Sequence, residues 1–70
     1  MQEENLIILT IRHLNDVFQV DIPSGSSVLR LKFRLADVVG IPSSRQRLIF
    51  KGKLLNDENS VHMFGTILVF

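Results

Sequence analysis

The chain has 70 residues, of which 46% are hydrophobic, and its mean hydropathy is +0.26, so it reads as one small folded domain and not as a disordered segment. A chain of this length buries roughly 60% of its unfolded surface, which leaves an adequate but thin core. It has no cysteine, which excludes disulfide staples and thiolate chemistry and suits a reducing compartment.

Residues 1–5 are acidic and polar, the opposite of a signal-peptide start, and are expected to form a disordered N-terminus. Residues 6–12 alternate, with Ile7, Leu9 and Ile11 on one face, which is strand spacing. Turn chemistry follows at Asn15-Asp16. Residues 17–22 alternate again with Phe18, Val20 and Ile22 inward, so the two runs predict an antiparallel hairpin ended by Pro23-Ser24-Gly25. Ser26 or Ser27 can cap a helix. Val28, Leu31, Leu35 and Val38 or Val39 then recur at helical spacing. Gly40 offers a left-handed stop and Pro42 prevents continuation. Leu29 and Phe33, four apart on another face, are apolar residues that a simple core does not need, and they form a candidate second surface.

A third strand is expected over 47–50, a tight turn at Lys51-Gly52 and a short return strand over 53–55. Residues 56–60 read as loop, Val61, Met63 and Phe64 as a small packed turn, and 66–70 as a last strand. The order β-β-α-β-β-β describes an α+β domain with one helix packed across a mixed sheet. The longest apolar runs, 6–9 and 67–70, are far too short to span a membrane.

Charge is unevenly spread. Seven of the eight Lys and Arg lie between 30 and 53, where Asp37 is the only acid, while the net charge is +1. Such a face could meet nucleic acid or an acidic protein partner, or simply be solvated. Catalytic chemistry finds little support. His13 and His62 have no partner at metal-ligand spacing, so no metal and no cofactor is expected. Ser43, His62 and Asp57 form a triad only on paper, because no nucleophile elbow surrounds the serine. The four glycines are too scattered to cradle a phosphate, and with no Trp or Tyr an aromatic platform for nucleic acid is not expected. The chain reads as a binding protein and not an enzyme.

Gly40-Ile41-Pro42 followed by Gln46-Arg47-Leu48-Ile49-Phe50-Lys51-Gly52-Lys53-Leu54-Leu55-Asn56-Asp57 resembles ubiquitin and ubiquitin-like domains, and the element order fits their β-grasp fold over nearly the whole chain. Val28-Leu29 with Lys32 ahead of that run is closest in flavour to the N-terminal domains of ubiquilin-type proteasome shuttle proteins. The resemblance implies that Leu48 is core while Ile49 points outward as the centre of a shallow apolar patch. Leu14, Gly52, Leu68 and Phe70 would complete that patch, and Arg47, Lys51 and Lys53 would rim it. A register slip by one would bury Ile49 instead, and Leu14 could simply cover its turn.

The implied role is that of an adaptor in the ubiquitin–proteasome system, working in the cytoplasm or nucleus as a monomeric domain of a longer protein. It would dock on proteasomal ubiquitin receptors or ubiquitin-interacting helices, with a ubiquitin-associated domain as a partner in cis. The chain departs from the family's pattern in several places. No di-glycine tail follows Phe70, Leu68 replaces a common histidine, and the first hairpin turn is shorter than ubiquitin's. Between Phe64 and Thr66 a stretch of the pattern is missing, which reads as a deletion or a mobile loop. Two other readings stand beside the adaptor. One is a ubiquitin-like modifier lacking its tail; the other is a β-grasp domain binding nucleic acid through the basic window.

Overall fold

The computed structural model describes residues 5–62 and 65–70. The expected hairpin forms from β1 (Leu6–His13) and β2 (Asp16–Pro23), paired without interruption from Leu6↔Pro23 to His13↔Asp16 around the two-residue turn Leu14-Asn15. Alternation sends Ile7, Leu9 and Ile11 of β1, with Val20 and Ile22 of β2, into the core.

Helix α1 (Val28–Val39) buries Val28, Leu31 and Leu35. Of the two alternatives at its end, Val39 packs against the core and Val38 is exposed. Ser27 is the N-cap, its hydroxyl accepting from the Arg30 amide at 3.1 Å. Two more amides of the first turn are satisfied by the loop that follows the sheet. The Val28 N–H donates to Asn59 O at 2.8 Å and the Leu29 N–H to Asp57 O at 3.1 Å. Gly40 ends the helix at φ 74°, its N–H returning to Ala36 O. A short 3₁₀ turn, Ser43–Arg45, then leads to Gln46, whose buried amide nitrogen donates to Lys32 O and Ile41 O, both at 2.8 Å. That side chain ties the middle of the helix to the chain leaving it.

β4 (Leu48–Phe50) and β5 (Lys53–Leu54) form a second hairpin, and β7 (Thr66–Val69) completes a five-stranded sheet in the order β2-β1-β7-β4-β5. β7 runs parallel to β1 and antiparallel to β4, so the sheet is mixed, as expected, with the helix laid across one face. β4, β5 and β7 each run one residue shorter than expected, while β1 and β2 run one and two residues longer. Pairing nevertheless continues past β4 and β7, where Arg47 and Phe70 exchange both backbone hydrogen bonds at 2.9 Å.

The sequence predicts loop at Ser60 and a packed turn from Val61. Ser60–Val61 is instead a strand, β6, paired antiparallel with β3 (Ser26–Ser27) in a separate two-stranded sheet. The pairing seats Val61 in the core beside Val28 and supports the start of α1. Met63 and Phe64, the rest of that expected turn, lie outside the described residues, as does the expected disordered start apart from Asn5, whose carbonyl accepts from the Ser24 amide.

Gly65 leads into β7 at φ 147°, and its carbonyl accepts from the Thr10 amide. A Cβ there would lie 2.7 Å from Cε1 of the buried Phe50 ring. Gly65→Ala is therefore expected to destabilise the domain by about 2 kcal/mol, through crowding of a closely packed core. The urea midpoint measures this; an unchanged midpoint would mean that the ring moves aside freely.

Candidate protein-interaction site

The sheet face turned away from α1 carries an apolar row built by cross-strand register. Leu48 faces the core with no exposure, so its neighbour Ile49 turns to the opposite face, where it is partly buried. Ile49 pairs with Leu68 of β7 on one side and Leu54 of β5 on the other. Leu68 in turn pairs with Arg12 of β1, and Arg12 with Val17 of β2. One row thus crosses all five strands as Val17-Arg12-Leu68-Ile49-Leu54. Phe70 extends it beside Arg47 and is 60% exposed.

Leu14 stands at the rim of this face. It is 79% exposed, and it lines a shallow concavity with Arg12, His13, Leu68 and Phe70. Its backbone sits at φ 55°, in the left-handed region that a leucine enters only at a cost. An apolar side chain held in solvent by an unfavourable backbone has no evident structural purpose, so its place on the patch rim is the more informative fact. Leu14→Asn is expected to raise stability by up to about 1 kcal/mol, since asparagine tolerates this conformation, while weakening any partner held by the patch. Opposite signs in a thermal melt and a binding titration are the expected pair of results. A fall in stability would show that Leu14 supports the turn.

The Lys51-Gly52 turn has both residues at positive φ, 50° and 78°, the twist a two-residue hairpin loop prefers. That turn fixes the pairs Phe50↔Lys53 and Ile49↔Leu54. Lys53 therefore shares the pleat side of the inward Phe50, and the Lys51 ammonium lies 5.4 Å from the Phe50 ring centroid. Arg47 is the member of the expected rim that stands beside the patch. Gly52 contributes the turn geometry, and a Cβ added there would meet nothing within 4 Å.

Two residues that sequence reasoning did not assign to this surface belong to it. Leu54 is 59% exposed next to Ile49, and Arg12 places a cation inside the row. Both were within reach. The two-residue turn dictates that Leu54 faces Ile49, and alternation from the buried Ile11 turns Arg12 outward. Leu29 and Phe33 lie elsewhere, exposed on the helix. Two of the cations in the 30–53 window are already paired, Lys32 with Asp57 at 2.7 Å and Arg34 with Asp21 at 3.0 Å, which thins the basic face. Among the described residues no group of three or more His, Asp or Glu converges to hold a metal.

Residues 9–66 match the model of the ubiquitin family. The chain belongs to that family. The UBL domain of Plasmodium falciparum Dsk2 superposes with a TM-score of 0.82 at 32% identity, covering 93% of this chain and 96% of that one. The ubiquitin domain-containing protein DSK2 of Saccharomyces cerevisiae is 37% identical over 49 residues, which are 70% of this chain and 13% of DSK2. The ubiquitin-like protein NEDD8 of Dictyostelium discoideum is 42% identical over 40 residues, 57% of this chain and 52% of NEDD8. This chain therefore spans a small part of the first and about half of the second. The fold is the ubiquitin-like β-grasp, and ubiquitin-like domains are generally non-catalytic.

Proposed function

We propose that this ubiquitin-family domain is a docking module of the ubiquitin–proteasome system, carried by a shuttle-type adaptor in the cytoplasm or nucleus. The observation that carries the reading is the outward Ile49, set between Leu68 and Leu54 with Leu14 and Phe70 beside it. A narrow apolar row suits the apolar stripe of a short amphipathic helix, and Arg12 and Arg47 suit acids flanking that stripe. Proteasomal ubiquitin receptors and ubiquitin-interacting helices are the partners of this chemistry, and a ubiquitin-associated domain in cis would compete for the same face. The likeness to two Dsk2 proteins supports the shuttle role. Calorimetric titration of a ubiquitin-interacting helix into the protein tests it. The expected result is a dissociation constant of roughly micromolar order, weakened several-fold by raised salt as the rim charges are screened. Absence of binding at millimolar helix would overturn the reading.

The likeness to NEDD8 favours a second reading, a modifier joined to targets through a C-terminal tail. Mass spectrometry of the cellular protein distinguishes the two. A mature terminus at di-glycine, with covalent adducts on other proteins, would establish the modifier; a longer chain continuing into further domains would establish the adaptor.

A further inference from the structure

Helix α1 turns one side to solvent, where Leu29, Arg30, Phe33, Arg34, Asp37 and Val38 are all exposed. Two charges on that side sit where a lone helix disfavours them. Arg30 is in the first turn and Asp37 in the last, each beside the dipole end of its own sign, and the helix has no acid in its first turn and no base in its last. Lys32 and Arg34 are held by Asp57 and Asp21, whereas Arg30 and Asp37 have no ion-pair partner among the described residues. A spacing of seven residues puts them about 20° apart around the axis and about 10.5 Å apart along it. They therefore share one line of the helix but are too far apart to pair with each other.

A second α1 laid antiparallel removes both faults at once. About a two-fold axis midway between 30 and 37, each Arg30 meets the other copy's Asp37, and each charge comes beside the dipole end of opposite sign on the facing helix. Phe33, 60% exposed, stands next to that axis and meets its own counterpart, with Leu29 one turn away beside it. Arg34 falls on the other flank, where Asp21 at 3.0 Å already neutralises it.

We propose that the exposed side of α1 is a self-association surface, through which two copies of this chain form an antiparallel, two-fold symmetric pair. A contact in which residue i meets j while j meets i needs both signs of charge on one patch, and α1 carries them in register. A partner helix of one charge sign would satisfy either Arg30 or Asp37 and leave the other opposed, which disfavours it against a second copy. The 12 residues of α1 span about 18 Å, so the contact is small and its dissociation constant is of roughly 0.1 mM order. The pair departs from the monomeric domain that the family resemblance implies. It leaves both Ile49 rows free, since α1 and that row lie on opposite faces of the sheet, and it does not depend on the function proposed above.

The test is sedimentation equilibrium of the protein from roughly 10 µM to roughly 2 mM. The expected result is a mass that rises with concentration from 8.0 kDa toward twice that value. Arg30→Asp and Asp37→Arg each set like charges against each other on both sides of the axis, and each is expected to weaken association roughly tenfold. The melting temperature of the dilute protein should hold or rise in both, because each also corrects the charge at a helix end. Both substitutions in one chain restore opposite charges across the axis and are expected to recover most of the lost association. Phe33→Ser, at an exposed site, is expected to weaken association, and Ile49→Ala to leave it unchanged. A protein that stays monomeric at the top of the range, a double variant that associates no better than the single ones, or association lost on Ile49→Ala would each overturn the proposal, the last by moving the contact to the Ile49 row.

Discussion

Ile49→Ala is expected to weaken docking at least roughly thirtyfold while leaving the fold in place. Ile49 lies at the middle of the cross-strand row, between Leu68 and Leu54, where a partner's apolar anchor would be most completely shielded from water. Central residues of that kind carry a disproportionate share of binding energy, about 2 kcal/mol or more on truncation. For a micromolar complex that is a loss of roughly thirtyfold or more, to a dissociation constant of tens of micromolar or weaker. The effect on stability should be much smaller, because Ile49 already faces outward and the helix packs against the other side of the sheet. Unchanged helix affinity would remove the patch from the account. Unfolding would show that Ile49 is core.

One residue earlier the expectation reverses. Leu48 is fully buried and pairs with the buried Val69. Leu48→Ala removes a side chain from a closely packed core and leaves a cavity, at about 2–5 kcal/mol. A domain of this size holds roughly 3.5–10 kcal/mol in total, at about 0.05–0.15 kcal/mol per residue, so the variant should be largely unfolded or melt far lower. Chemical denaturation followed by circular dichroism measures the difference. A Leu48→Ala variant as stable as the parent would mean that β4 sits one residue out of register, which would bury Ile49. The neighbouring pair therefore tests the strand's facing from both sides.

The parts of the fold legible in the sequence were those with a period. The alternation of 6–12 and 17–22, and the helical recurrence of Val28, Leu31 and Leu35, carried over directly because each run is long enough for periodicity to specify a face. The β3–β6 pair was not legible. Two residues on each side have no period, and what joins Ser26 to Val61 is tertiary placement alone. The outward turn of Ile49 rested on family resemblance, since three residues of strand fit either register. Its surroundings needed register as well. Leu54 and Arg12 belong to the patch through pairing partners, Ile49 and Leu68, that lie on other strands. The left-handed backbone of Leu14 had no sequence signal, because leucine is among the residues least suited to it.

The most direct test of the docking account is an NMR titration of the isotopically labelled domain with an unlabelled ubiquitin-interacting helix. The account predicts fast-exchange shifts centred on Leu14, Ile49, Leu68 and Phe70, spreading to Leu54 and Arg12. Silence across that row, or shifts gathered on Leu29 and Phe33, would contradict it.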